Sequence, residues 1–209
     1  MTATSHEPAA AVGLRERKKR ETRMALSLAA VRLTVERGWD HVTVQDIAAA
    51  ANVSERTFRN YFSSKAEAIA SRHLDRARRV AEELRARPAA EPLWDAISRA
   101  VRAQYEAADD GGPVDRGHLD GLRLVLAEPA LQAEALRVGM EAQHELARAV
   151  AERTGTDVDR DLYPALVAAA VSAVTAAVLD HWLRAVPPVH LGPVLARAFD
   201  QLASGLPVP

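Results

Sequence analysis

The sequence of 209 residues predicts an all-α protein of about nine helices, and three observations carry that prediction. Alanine, arginine and leucine dominate the composition while aromatic residues make up only 4%, a balance that favours helices over strands. Apolar residues recur at three- and four-residue spacing, without the alternation typical of strands. Glycine and proline lie between these periodic segments, where helices are expected to begin and end.

The first helix is expected to end at Gly38, a residue type common at helix C-termini. Leu28, Val31 and Val35 recur at helical spacing, and we predict that they form its core-facing side. Residues 1–13 are polar and alanine-rich and lack the apolar stretch of a signal peptide. The sequence therefore predicts a disordered N-terminal tail and a cytoplasmic protein.

Two short helices follow, each opened by a residue that favours the N-cap position. Thr43 precedes the first, with Asp46 three residues later as in a variant capping box, and Ser54 precedes the second. Asn52 lies in the turn between them, where a left-handed backbone is expected and asparagine is tolerated. The apolar faces of the two helices are expected to pack on the first helix through Val44, Ile47, Val53, Phe58 and Phe62.

The rest of the chain predicts six longer helices. Ser64 and Glu67 form a further Ser-x-x-Glu pair at the start of a helix that runs to about Arg87. Breaks are expected around Pro88, at the loop-like residues 109–113 and before the last helix. The later helices are predicted over about 92–108, 115–127, 129–154, 160–185 and 190–205.

Charge is divided unevenly along the chain. Residues 1–80 carry a net charge of +6 and residues 81–209 carry −7, although the total is only −1. Six of the nine residues in 15–23 are basic. A basic N-terminal part favours contact with a polyanion such as nucleic acid, and the alternative is a solvated basic helix face.

Residues 43–62 combine two short helices with a short turn after a longer helix, the arrangement of a helix-turn-helix. Over about residues 15–70 the chain resembles the tetracycline-repressor (TetR) family. The likeness rests on the Gly38 stop and on further matching segments at residues 43–48, 53–54 and 57–62 and at Lys65. Three positions depart from the family pattern, in which glycine, a phosphate-contacting tyrosine and glutamate are common: Asn52, Arg59 and Ala66.

The resemblance implies that residues 54–61 form a recognition helix in the DNA major groove. Arg56 and Asn60 are then expected to contact bases, with Glu55 a weaker candidate. Phosphate contacts are expected from Thr43, Ser54, Thr57, Tyr61 and Lys65, with Arg59 as a cationic replacement for the usual tyrosine. Gln45 is expected at either the DNA backbone or a base edge. Thr43 and Ser54 hydroxyls also cap helices, which is the alternative to a phosphate role.

The resemblance also implies a disordered tail (1–13), a helix-turn-helix domain (14–63) and a helical ligand-binding and dimerisation domain (64–209). Residues 166–179 are apolar around most of the helix, more than one core-facing stripe requires. The resemblance implies a homodimer interface formed by the helices at about 160–185 and 190–205, and the alternative for residues 166–179 is a central core helix of a monomer. The run is too short and alanine-rich to predict a membrane span. Interface candidates are Leu166, Ala170, Val174, Val178, Trp182 and Leu195.

A small-molecule effector is expected among the middle helices, as the resemblance implies. Arg123 lies in an apolar run and would suit an anionic or acyl ligand, although an ion pair with Asp120 or Glu128 is the alternative. The seven histidines show no metal-site spacing and the chain has no cysteine, so neither a metal nor a cofactor is expected. Candidate lining residues are Trp94, Tyr105, His118, Arg123, Met140 and His144.

No phosphate-binding glycine loop, nucleophile elbow or HExxH motif is present, so an enzyme is not expected. The resemblance implies a homodimeric repressor that binds a pseudo-palindromic DNA operator and is released by its effector. Two alternatives remain: an activator, and an interaction module whose helix-turn-helix no longer binds DNA.

Overall fold

A computed structural model describes residues 9–106 and 116–207 of the chain. These residues form nine α-helices and one short 3-10 helix (Trp39–His41), without any strand, which confirms the predicted fold class. The helices are α1 Ala9–Arg37, α2 Val44–Ala50, α3 Glu55–Arg59, α4 Lys65–Ala86, α5 Leu93–Glu106, α6 Arg116–Leu126, α7 Pro129–Thr154, α8 Leu162–Arg184 and α9 Leu191–Ala203.

The chain forms two compact units, the head (residues 1–72) and the body (residues 73–209). The division falls inside α4, whereas the sequence analysis placed it between residues 63 and 64. Ala68 and Ile69 are buried, and the Ser27 hydroxyl donates to the Ala68 carbonyl at 2.6 Å, so the first turns of α4 belong to the head. Helix α1 begins at Ala9, inside the predicted disordered tail, and the first eight residues of that tail lie outside the described residues.

The predicted core side of α1 is wrong at Leu28, which is 47% exposed, whereas Val31 and Val35 are half-buried. The fully buried apolar residues of this helix include Leu26, Ala29, Ala30 and Leu33. Apolar residues lie along two sides of α1, and α2 packs against one of them. The position of α2 therefore determines which side is buried. The Thr34 hydroxyl on the buried side donates to the carbonyl of Ala30 at 2.7 Å, which satisfies a polar group inside the head.

Local sequence signals set the short helices as expected. Thr43 and Asp46 form a reciprocal capping box at the start of α2, and the Ser54 hydroxyl accepts from the Thr57 amide at 3.1 Å at the start of α3. Asn52 has φ of 56°, which confirms the predicted left-handed turn residue. Gly38 has φ of 84° directly after α1, where a side chain would be strained.

In the body, α7 packs on α8, and α9 packs on both α5 and α8. Pro129 starts α7, where its missing N–H is harmless, and Gly155 ends it in the left-handed conformation. The predicted loop at 109–113 lies outside the described residues. The largest buried side chains of this core come from four helices and include Leu84, Ile97, Val150, Leu195 and Phe199.

Helix α8 is long and apolar enough to cross a membrane by length and composition alone, a test that core helices also pass. One side of it is buried in the body core, including Val171 and Val178. The opposite side is apolar but exposed, with Leu162 at 70% and Leu166 at 56%. Helix α8 therefore has one apolar side in the core of its own chain and a second apolar side that this chain leaves exposed.

Two of the predicted interface residues are not available for an interface. Val178 and Leu195 are buried in the core of their own chain, because α8 and α9 pack on each other. Leu166 is exposed, whereas Ala170, Val174 and Trp182 are half-buried. The Trp182 indole N–H donates to the Val189 carbonyl at 2.7 Å.

Candidate nucleic-acid interface and ligand cavity

Helix α3 is fixed by one buried side chain and one cap. Phe58 is fully buried, and its ring lies 5.7 Å from that of Phe62, between ring centroids. The Ser54 cap satisfies an amide at the N-terminus of the helix. Because Phe58 faces the core, the other side of this short helix is exposed, and it carries Glu55, Arg56, Arg59 and Asn60.

The four exposed residues are not equivalent. Glu55 and Arg59 form an ion pair of 2.7 Å one helical turn apart, so each charge is already compensated in the free protein. The side chains of Arg56 and Asn60 make no hydrogen bond or ion pair with any described residue. Arg56 and Asn60 are the two residues predicted to contact bases. They are thus also the ones whose polar groups have no partner among the described residues.

The expected phosphate-contacting hydroxyls lie at helix N-termini. Thr43 is exposed, and its hydroxyl is hydrogen-bonded to the carboxylate of Asp46 at 2.5 Å. Hydrogen bonds from the Thr43 hydroxyl and amide lower the pKa of Asp46. Thr57 lies 2.9 Å from Ser54, hydroxyl to hydroxyl. These hydroxyls cap helices, as expected, and Gln45 is exposed whereas Tyr61 is half-buried.

Lys65 has a different position from the one expected. Its ammonium donates to the carbonyls of Trp39 and, at 2.9 Å, of Val42, and it lies 4.2 Å from the centroid of the Trp39 indole ring. The ammonium therefore fixes the connection between α1 and α2 from inside the head. A direct phosphate contact by Lys65 would have to compete with these bonds, so the structure does not favour the predicted role.

The basic residues 15–23 lie on α1 before its first fully buried residue, Leu26. Most are exposed, and Arg17 pairs only loosely with Glu21 at 3.6 Å. Arg23 is the exception, since its guanidinium lies 4.5 Å from the centroid of the Phe62 ring. The packing roles of Arg23 and Lys65 were not predicted. Both residues have the sequence surroundings of an ordinary solvated charge, so nothing local marks these contacts.

The body contains a cavity of about 50 Å³ between four helices. Six of its lining residues are apolar, and the polar ones are a histidine, an arginine, a tyrosine, a serine and a threonine. The lining residues are His73, Arg76, Ala77 and Val80 on α4, Val101 and Tyr105 on α5, Ala142 and Leu146 on α7, and Val171, Ser172 and Thr175 on α8.

Arg76 is the most unusual of these residues. Its guanidinium lies 4.2 Å from the centroid of the Tyr105 ring, and its Nε is buried without a hydrogen-bond partner among the described residues. Burial of the imidazole and the nearby Arg76 charge lower the pKa of His73, although much of that residue remains exposed. Thr175 donates to the Val171 carbonyl at 2.8 Å.

Of the six residues predicted to line an effector pocket, only Tyr105 lines this cavity. Trp94 packs against the body core instead. The other four are exposed, because the outer sides of α6 and α7 carry them: His118, Arg123, Met140 and His144. The cationic residue in the cavity is thus Arg76 on α4, not Arg123. No grouping of histidine, aspartate and glutamate suited to a metal occurs among the residues that the structure describes.

Comparison with protein families identifies both units. Residues 28–70 match the model described as bacterial regulatory proteins, tetR family, and residues 91–207 match the MftR C-terminal domain. The chain is 40% identical to the HTH-type transcriptional regulator TcmR of Streptomyces glaucescens over 175 residues, covering 81% of this chain and 76% of TcmR. It is 30% identical to MftR of Mycobacterium tuberculosis over 194 residues, covering 91% and 93%.

Solved structures share the fold at low sequence identity. A protein from Syntrophomonas wolfei has a TM-score of 0.63 at 16% identity, covering 91% of this chain and 98% of its own. The fatty acid degradation regulator FadR of Bacillus halodurans has a TM-score of 0.57 at 17% identity, covering 90% and 97%. The two family models and the two relatives show that the chain belongs to the TetR family of bacterial transcriptional regulators, with a DNA-binding helix-turn-helix domain in its N-terminal part.

Proposed function

We propose that this regulator is a cytoplasmic repressor that binds a pseudo-palindromic operator as a homodimer and is released by a small-molecule effector. The observation that carries the proposal is the exposed side of α3. There, Arg56 and Asn60 stay exposed and unpaired by described residues, while Phe58 fixes the opposite side of the helix in the core.

The chemistry of these two side chains suits base recognition. Arginine donates in a bidentate manner to guanine O6 and N7, and asparagine pairs in the same way with adenine. Glu55 and Arg59 form their own ion pair, which supports a secondary role for them at the operator. The capped N-termini of α2 and α3 present amides and hydroxyls suited to phosphate contacts.

The exposed side of α8 supports a dimer. Leu162, Leu166 and the small Ala169 and Ala173 leave an apolar side of this helix uncovered within one chain. A two-fold dimer through that side would bury it and present two copies of α3, as an operator with half-sites 34–36 Å apart requires.

Release by an effector is supported by the course of α4. This helix runs without interruption from Lys65 to Ala86, so it contributes first to the head and then to the cavity in the body. An effector that binds one position of α4 better than another shifts the population of DNA-binding dimers by the difference in its affinities.

Selection of binding sites from random double-stranded DNA tests the proposal. The wild type should recover an inverted repeat, and the double variant Arg56→Ala, Asn60→Ala should lose or change that sequence preference. Arg197→Ala, an exposed arginine on α9, is the matched control and should recover the wild-type repeat.

Two results would contradict parts of the proposal. Sequence-independent or absent binding by the wild type would favour an interaction module whose helix-turn-helix no longer reads DNA. Recovery of single half-sites would contradict the dimer. A reporter gene placed behind the recovered repeat then distinguishes repression from activation.

A further inference from the structure

The Nε–H group of Arg76 is a buried hydrogen-bond donor, and no described residue accepts a hydrogen bond from it. Leaving a buried polar group unpaired is costly, and more so when the group carries a charge. Arginine cannot avoid this cost by losing its proton. A bound ligand that carries a hydrogen-bond acceptor would supply the missing partner.

Two other arginines on α4, which lie outside the cavity, do have partners for their guanidinium groups. Arg78 forms an ion pair of 2.9 Å with Glu141, and Arg79 donates to the side-chain oxygen of Gln104 at 2.8 Å. Arg76 forms no ion pair with any described residue, and none of the lining residues is acidic. Among the described residues, the Arg76 charge in the cavity therefore has no acidic partner.

The Arg76 guanidinium lies against the ring of Tyr105. The distance of 4.2 Å from the Arg76 carbon Cζ to the ring centroid is typical of a cation–π contact. The guanidinium donates no hydrogen bond to any described residue, so its N–H groups are available to a planar anion. A carboxylate can accept two of these N–H groups in a bidentate manner, and its organic part suits a cavity with an apolar lining.

The rest of the lining is apolar, from Ala77 and Val80 on α4 to Leu146 on α7 and Val171 on α8. We propose that the cavity binds a small organic acid, with its carboxylate on the edge of the Arg76 guanidinium and a short apolar group among these residues. This assignment names the effector class and rests on the ligand-controlled function proposed above. The cavity of about 50 Å³ suits a compact apolar group, such as a short alkyl chain or a single ring, better than a long chain.

Matched pairs of acids and neutral amides test the charge requirement. The full-length wild type is titrated with butyrate and benzoate, and separately with butyramide and benzamide, up to millimolar concentration. The thermal midpoint and the dissociation constant are measured for each. We expect the two carboxylates to bind and to raise the midpoint, and the two amides to bind at least about tenfold more weakly.

Charge-matched variants locate the carboxylate. Arg76→Gln should weaken carboxylate binding at least about tenfold, while Arg78→Gln removes one positive charge from the same helix outside the cavity and should leave it within about twofold. Arg76→Lys keeps the charge but loses the planar fork, and we expect an intermediate affinity. Equal affinity of Arg76→Gln and Arg78→Gln for benzoate would overturn the proposal.

A measurement on the wild type avoids dependence on the folding of variants. The Arg76 Nε–H resonance in a nitrogen-15 spectrum, assigned through its absence in Arg76→Lys, should shift on addition of benzoate and stay in place with benzamide. Failure of both carboxylates to bind, or binding that leaves this resonance unmoved, overturns the assignment.

The two proposals can fail separately. A chain that selects an inverted repeat but ignores all carboxylates retains the DNA-binding function and loses the effector class. A chain that binds benzoate through Arg76 but selects no DNA sequence has the reverse result. Benzoate binding that leaves operator affinity unchanged preserves the site and rejects its role in release.

Discussion

The head and the body place arginine in opposite environments. On α3, Arg56 and Arg59 are exposed, one without a described partner and one paired with Glu55. In the body, Arg76 has a buried Nε, lies 4.2 Å from the centroid of the Tyr105 ring and has no counter-charge among the described residues. An exposed arginine suits a polyanion such as DNA, because the contact is made at the protein surface and releases counterions from the polyanion. A partly buried charge suits one small anion, because less water is displaced when the anion binds.

The two units also differ in how burial is distributed. The head concentrates it in a few large side chains, with Phe58 and Phe62 at the centre of a small core. The body combines many buried alanines and valines with large side chains such as Leu84, Ile97 and Phe199. The loss of one central aromatic should therefore affect the small head strongly, and the body should also depend on contacts that join its helices.

The largest expected effect is the loss of the central aromatic of the head. Phe58→Ala should lower the free energy of unfolding by about 3–5 kcal/mol, because it leaves a cavity among residues that cannot collapse onto it. Urea unfolding followed by circular dichroism measures the change. Leu28→Ala on α1 is the control, and its 47% exposure predicts a change within about 0.5 kcal/mol. A large loss in the control would contradict the outward position of Leu28 on α1.

The second largest effect is expected where α7 contacts the end of α4 and the connection from α4 to α5. The guanidinium of Arg153 on α7 donates to the carbonyls of Leu84, Arg87, Pro88 and Glu91, with the bond to Pro88 at 2.6 Å. Arg153→Gln should lower the free energy of unfolding by about 1–3 kcal/mol, because it removes charge-assisted bonds to these carbonyls.

Arg148→Gln on the same helix is the control for Arg153. Arg148 is exposed and lies 3.9 Å from Glu145, a weak pair whose loss should change stability by less than about 0.5 kcal/mol. Equal losses in the two variants would show that the carbonyl contacts of Arg153 contribute nothing specific.

A smaller effect is expected from the capping box of α2, visible as a dependence on pH. Hydrogen bonds from Thr43 lower the pKa of Asp46, so its contribution to stability is present above the unfolded-state pKa, near pH 4. That contribution is lost as the pH falls through the lower pKa of the folded state. Asp46→Asn should therefore lose stability at neutral pH and decline less steeply in acid.

Unfolding measured in steps between neutral pH and about pH 3 tests the capping box. Asp40→Asn, an exposed aspartate in the 3-10 helix, is the control and should follow the wild-type curve. An acid profile of Asp46→Asn parallel to that of the wild type would contradict the assignment.

The smallest expected effect on stability belongs to the exposed pair on α3. A double-mutant cycle of Glu55→Gln and Arg59→Gln should give a coupling of about 0.2–0.5 kcal/mol, since both groups remain hydrated. At the DNA the pair should matter more: Glu55→Gln frees Arg59 for phosphate and should steepen the salt dependence of operator binding. An unchanged salt slope would place Arg59 away from the DNA backbone.

Helix limits could be predicted from the sequence because they depend on local chemistry. The side-chain caps of α2 and α3, the proline that starts α7 and the left-handed Asn52 act over three or four residues, which the sequence displays directly. The side of α1 that is buried could not be predicted in this way. Alanine-rich helices carry more than one weakly apolar stripe, and only the packing partner selects between them.

The cavity escaped prediction for a similar reason. Arg76 lies in a run of arginines on α4, and such a run usually forms a solvated face. Arg123 stood out by its apolar neighbours in the sequence, yet it is exposed. Whether an arginine is solvated or sheltered depends on residues from other helices, in this case Tyr105 on α5 and Val171 on α8. Tertiary contacts of this kind leave no local signal.

The contacts of Arg153 also have a mechanical consequence for α4. They hold the C-terminal end of that helix through the carbonyls of Leu84 and Arg87, so this end serves as a pivot. At a rise of about 1.5 Å per residue, Arg76 lies roughly 14 Å along the helix from this pivot. A ligand that displaces α4 at Arg76 would therefore tilt this part of the helix about a fixed end instead of shifting it as a whole.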